Sequence, residues 1–106
     1  MSTQLTLDTV RGDDGKLALV AAGEIDLSNV DTFTRALSAA IDEAAGSGGP
    51  LTVDLSAVEY LDSAAINVLF PHADQIRVIA HPFLVRVFAI SGLSELATIE
   101  PAPPQA

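Results

Sequence analysis

The sequence predicts an α/β domain: a mixed, mostly parallel sheet of four or five strands with helices packed against it. Three observations carry this. Apolar residues alternate with period two, or run together, in several short segments. Between these segments the apolar residues recur every three or four positions, as on one face of a helix. The order reads β-β-α-β-α-β-α-β, a leading hairpin and then strand–helix alternation, which builds parallel right-handed units.

Each element has its own signal. QLTLDTV (4–10) alternates with Leu5 and Leu7 on one face, a half-buried strand. RGDDGK (11–16) is turn chemistry, and LALVAA (17–22) is a strand apolar on both faces and so more central. GEID (23–26) closes it. Val30, Phe33, Leu37, Ile41 and Ala44 then form a helical stripe, with Ser28 as the expected N-cap and Asp31 favoured by the helix dipole. GSGGP (46–50) stops this helix. LTVDLSAV (51–58) returns to period two. A short helix is expected over about 63–71, where Pro71 removes the bond to the Asn67 carbonyl, and then an irregular turn to Gln75. IRVIA (76–80) is a strand. Pro82 begins a third helix over FLVRVFAI, and Gly92 ends it. ELATIE (95–100) is an expected edge strand, and PAPPQA (101–106) an expected disordered, Pro-rich tail.

A chain of 106 residues implies one domain, here residues 1–100. With no cysteine there is no disulfide and no thiolate metal site. The 14 Asp and Glu against 5 Lys and Arg give a net charge of −9, which repels phosphate backbones and anionic lipid and argues against a nucleic-acid partner. There is no leader-like N-terminus and no apolar run near the roughly 20 residues of a membrane span. The expectation is a cytoplasmic protein without membrane insertion.

Asp62-Ser63 is the sequence's sharpest question. It stands where a strand gives way to a helix. Either residue could simply cap the helix. A helix start also offers free N–H groups to a phosphate, and phosphorylation of Ser63 would add about −1.5 to −2 charges beside Asp62. Both readings stand on the residues alone.

GEID (23–26), VDLSAVEYLDS (53–63) and P-x3-R-x-F-x2-S-G-L (82–93), in this order, resemble the STAS domain over about residues 5–100. Within it they are most similar to single-domain anti-sigma factor antagonists of bacterial partner switches, which regulate transcription. The resemblance implies the STAS fold and makes Ser63 the phosphoacceptor. It further implies an anti-sigma factor with kinase activity as partner, a phosphatase that resets the switch, and release of a sigma factor by the unphosphorylated form. Asp62, Ser63, Ala64, Ala65, Ile66 and Asn67 would form the contact surface, with Glu24 and Asp26 at its edge. The antagonist would be no enzyme and need no cofactor, ATP and Mg²⁺ being supplied by the kinase. Two departures stand out. Asp62-Ser63-Ala64-Ala65 replaces the family's D-S-[ST]-G, and the segment from there to the next strand is shorter by roughly two helical turns of about 3.6 residues each.

Other residues have bland readings beside functional ones. Asp26 is a turn residue, or with Asp62 it helps a docked kinase hold its nucleotide's Mg²⁺. Glu24 is solvated or faces the partner. His72 and His81 have no metal-site spacing, and no metal is expected. The third helix is apolar nearly all round, which implies either extra sheet to cover or an exposed patch for a partner or a homodimer. Two rival functions remain: a STAS accessory subunit of a membrane-transporter ATPase, and a small-ligand sensor. No acid–base or nucleophile arrangement suggests an enzyme.

Overall fold

The computed structural model describes residues 4–102. In chain order the elements are β1 (Leu5–Arg11), β2 (Leu17–Ile25), α1 (Val30–Gly46), β3 (Leu51–Leu61), α2 (Ser63–Leu69), a 3-10 segment (Phe70–Gln75), β4 (Ile76–Ala80), α3 (Pro82–Ser91), a 3-10 turn (Leu93–Glu95) and β5 (Thr98–Pro101). One five-stranded sheet forms in the order β1-β2-β3-β4-β5. β1 is antiparallel to β2 and the remaining pairs are parallel, as the sequence predicts.

Each parallel step moves one strand further in the same direction across the sheet. Right-handed crossovers then put all three helices on one face. Strand alternation agrees. Leu17, Leu19 and Ala21 of β2, Leu51, Val53 and Leu55 of β3, and Ile76, Val78 and Ala80 of β4 are buried under that layer. α1 supplies Phe33, Leu37, Ala40, Ile41 and Ala44 from a single stripe. α3 supplies Leu84 and Phe88. One side of the third helix covers the β4–β5 end of the sheet, while Phe83 and Ile90 stay 64% and 88% exposed.

Several boundaries differ from expectation for identifiable reasons. The N-cap of α1 is Asn29, not Ser28. Ser28 instead donates from both N and Oγ to Asp26 Oδ1. β3 runs to Leu61 rather than ending at Val58. The cause is a bulge: Val20 pairs with Asp54 but Ala22 with Ala57, and Gly23 with Val58 but Glu24 with Tyr60. Extra residues on β3 break period two, so the buried positions after Leu55 are Val58 and Leu61. The Asp54 carboxylate supports this irregularity by accepting from Ser56 N at 3.0 Å and Ser56 Oγ at 2.6 Å.

α2 ends at Leu69, and the expected irregular turn is a 3-10 helix with Pro71 in its first turn. Proline lacks the N–H that would continue the α-helical ladder. Residues 95–97 are not strand. Glu95 N donates to Gly92 O, and Leu96 N and Ala97 N both donate to Leu93 O. These local bonds keep the backbone out of the ladder, so β5 begins at Thr98. Pro101, expected in the tail, pairs with Ala80 in β5, and Ala102 N donates to Ala80 O. The rest of the expected tail, 103–106, lies outside the described residues. α3 starts and stops as read. His81 Nδ1 accepts from Phe83 N at 3.1 Å, and Gly92 closes the helix at φ 90°.

Candidate functional site

The site lies where β2 and β3 leave the sheet side by side. Ile25 pairs with Leu61, so the next residues, Asp26 and Asp62, begin neighbouring loops. Asp62 N donates to Ile25 O at 3.2 Å and ties the two ends together.

The Asp62 carboxylate then does two jobs. Oδ1 accepts from Ala64 N at 3.0 Å and Ala65 N at 3.2 Å, which makes Asp62 the N-cap of α2. Oδ2 accepts from Leu27 N at 3.2 Å and pins the β2–α1 loop against the start of α2. Three of roughly four lone-pair positions are thereby filled, which leaves little capacity for a metal ion. Among the described residues no group of three His, Cys, Asp or Glu is placed to hold one. Asp62→Ala removes both the cap and the latch, worth about 1 kcal/mol each. Urea unfolding is expected to show a loss of about 2 kcal/mol. Asp62→Asn, which keeps one acceptor oxygen, should recover about half.

The two readings of Asp62-Ser63 therefore fall on different residues. Asp62 is the cap. Ser63 is the first residue of α2, exposed, and its Oγ makes no hydrogen bond among the described residues. One expectation needs correcting. The Ala64 and Ala65 N–H groups that could have cradled a phosphate already bond Asp62. Ser63 itself stands on the exposed side of the helix start.

The remaining expected contact residues divide by burial. Glu24 and Asn67 are exposed, and Asp26 and Ala64 are half-buried. Ala65 and Ile66, expected in the contact surface, are buried in the core at 1% and 9% exposure and have little area to offer a partner. Helical geometry gives the reason: positions 65, 66 and 69 form the inward face, and 63 and 67 the outward one.

Residues 23–29, the GEID segment and the LSN after it, build the loop before α1. Gly23 has φ 107° and lies so close to β1 that an added Cβ would sit 2.3 Å from Gln4 O. Glu24 N donates to Gln4 O at 2.9 Å and Glu24 O accepts from Asn29 Nδ2 at 2.9 Å. Ile25 is fully buried. Asp26 N donates to Asn29 Oδ1 at 2.9 Å, and Asp26 Oδ1 accepts from Ser28 N at 2.8 Å. Leu27 is 78% exposed. It escapes sequence reading, because one leucine among turn residues has no periodicity. Tyr60, 51% exposed, pairs with Glu24 at the same end of the sheet.

A cavity of about 530 Å³ opens between the end of β3 and the start of α3, lined by Ser56, Ala57, Val58, Glu59, His81, Phe83 and Leu84. Within this lining His81 Nδ1 accepts from Phe83 N at 3.1 Å. No described helix is long and apolar enough to cross a membrane.

Known proteins resemble the chain in sequence pattern and in shape. The family model described as "Mlab, STAS domain" matches residues 9–99. An anti-sigma factor antagonist from Mycobacterium paratuberculosis superimposes with a TM-score of 0.80 at 26% identity, over 93% of this chain and 87% of that one. The anti-sigma factor antagonist SpoIIAA in its unphosphorylated form gives 0.66 at 17% identity, over 94% and 89% of the two chains. Phosphorylated SpoIIAA from Bacillus gives 0.64 at 16%, over 92% of each chain, and at these identities the SpoIIAA likeness speaks for the fold. No curated protein sequence matches the chain significantly.

Proposed function

The chain belongs to the STAS-domain family, and we propose from that premise that it is an anti-sigma factor antagonist switched by phosphorylation of Ser63. The observation that carries the reading is the division of labour at Asp62-Ser63. Asp62 holds the local structure with both carboxylate oxygens, so Ser63 can change its charge without disturbing the fold. Unphosphorylated, the protein docks on an anti-sigma factor with kinase activity and frees a sigma factor. The kinase brings ATP and Mg²⁺ and places its nucleotide against Ser63. Phosphoserine there meets the nucleotide's own phosphates and is repelled. A phosphatase restores the hydroxyl. The protein is no enzyme in this scheme and works in the cytoplasm. Exposed Phe83 and Ile90 on α3 are available to a second copy.

The likeness to the mycobacterial antagonist supports this assignment. One observation favours a second reading. Ala64-Ala65 stands in place of the D-S-[ST]-G pattern, and a seven-residue α2 passes directly into the 3-10 segment Phe70–Gln75. That would suit a STAS accessory subunit bound to a transporter ATPase. A pull-down from native lysate with added ADP separates the two, using wild type, Ser63→Ala and Ser63→Asp as baits. The antagonist reading expects a kinase-fold anti-sigma factor on wild type and Ser63→Ala only. An ATPase of a membrane transporter on all three baits would replace it with the accessory reading.

A further inference from the structure

We infer that Leu27 is the fixed apolar anchor of the proposed docking surface, inserting into a small apolar pocket of the nucleotide-bound anti-sigma factor. The inference rests on the antagonist reading and deepens it.

Isolated exposed leucines are ordinary and need no explanation. Leu27 differs in how its backbone is held. Residues 26–29 connect β2 to α1, and every backbone N–H of the four has an internal acceptor. Asp26 N donates to Asn29 Oδ1, Leu27 N to Asp62 Oδ2, Ser28 N to Asp26 Oδ1 and Asn29 N to Asp26 O, at 2.9, 3.2, 2.8 and 3.1 Å. Asn29 Nδ2 adds a bond to Glu24 O, and Ser28 Oγ one to Asp26 Oδ1. A loop with its donors satisfied in this way has little conformational freedom left to lose. Binding through it avoids the ordering penalty that a mobile loop incurs. The side chain this network projects is apolar and 78% exposed.

Position points the same way. The Leu27 N–H is bonded to the carboxylate of Asp62, the residue before Ser63. Leu27 therefore lies beside the place where a partner would transfer phosphate to Ser63. Glu24 and Asn67 stand exposed nearby, so the apolar contact has a polar surround. An apolar residue at the centre of a polar rim is the arrangement in which a few side chains carry most of an interface's affinity. The surface thus has two separable parts: Ser63 sets whether binding occurs, and Leu27 supplies affinity in the unphosphorylated state.

The test uses the full-length chain and the kinase-fold partner recovered by the wild-type bait, purified and loaded with ADP. Calorimetry should show Leu27→Ala binding about tenfold more weakly and Leu27→Asp weaker still, with Leu27→Met close to wild type. In the kinase assay Leu27→Ala should raise the KM for the antagonist and leave kcat unchanged. Thermal unfolding of all variants should match wild type, because the side chain is exposed. Wild-type affinity in both Leu27→Ala and Leu27→Asp overturns the anchor while leaving the antagonist reading intact. Failure of wild type to recover any kinase-fold partner overturns both.

Discussion

Ser63→Asp is expected to lower affinity for the ADP-loaded anti-sigma factor by about a hundredfold, equivalent to ~3 kcal/mol. Ser63→Ala is expected to bind like wild type. The asymmetry comes from the local geometry. Ser63 Oγ makes no hydrogen bond among the described residues, so Ser63→Ala breaks nothing. The α2 cap resides in Asp62, so Ser63→Asp breaks nothing either. What changes is one negative charge on an exposed position beside an existing carboxylate, which in the proposed complex would face the nucleotide phosphates. In the partly desolvated interface, charges a few ångströms apart interact by several kcal/mol. Phosphoserine carries about −1.5 to −2 charges and should act more strongly than Asp. Both variants should retain wild-type stability within about 0.5 kcal/mol, as exposed substitutions do. Calorimetric binding together with a melting curve for each variant checks both halves. Because the repulsion is electrostatic, the Ser63→Asp deficit should shrink as ionic strength rises.

Gly23→Ala is expected to produce the largest loss of stability, about 3 kcal/mol, and to lower the melting temperature by ~10 °C or more. Two costs combine. Gly23 has φ 107°, a conformation that costs an L-residue roughly 1–3 kcal/mol. The new Cβ would also sit 2.3 Å from Gln4 O, which is backbone and cannot swing aside. Relief requires β1 to withdraw, and that stretches the Glu24 N–Gln4 O bond of 2.9 Å, worth about 1 kcal/mol. The damage should spread to function, since Glu24 O also anchors Asn29 and through it the loop that carries Leu27. Urea unfolding with a fitted midpoint measures the first effect. Gly15→Ala serves as a control, because its added Cβ meets nothing within 4 Å although its φ is also positive at 80°.

Legibility in the sequence depends on which residues repeat. Leu51, Val53 and Leu55 alternate cleanly with polar residues, and LALVAA is an unbroken apolar run; the structure buries Leu17, Leu19 and Ala21 of the run and all three of the alternating set. The α1 stripe from Phe33 to Ala44 is equally plain. The signal fails where a local device replaces the period. The bulge in β3 hides the stretch from Glu59 to Leu61, and the bonds onto Leu93 O take residues 96 and 97 away from the last strand. At the site, the importance of Asp62-Ser63 is legible because acid and hydroxyl at a strand–helix junction are chemically distinctive. The division of roles between them is not, because only coordinates show Oδ2 reaching across to Leu27 N. The inward turn of Ala65 and Ile66 is available in principle from the 3.6-residue period. Taking the helix start as one contiguous surface masks it. The identity of the partner has no signal of its own in this chain, because recognition depends on a surface whose complement lies elsewhere.

In the proposed mechanism everything turns on Ser63 accepting the phosphoryl group that ends binding. The most direct measurement is to incubate the protein with the purified anti-sigma factor, Mg²⁺ and ATP, and to monitor intact mass and complex formation together. Wild type should gain a single phosphoryl group, mapped to Ser63 by peptide fragmentation, and the modified fraction should no longer comigrate with the ADP-loaded partner. Ser63→Ala should gain none and remain bound. A complex that stays intact after stoichiometric phosphorylation of Ser63, or a stable complex that leaves Ser63 unmodified, would contradict the mechanism.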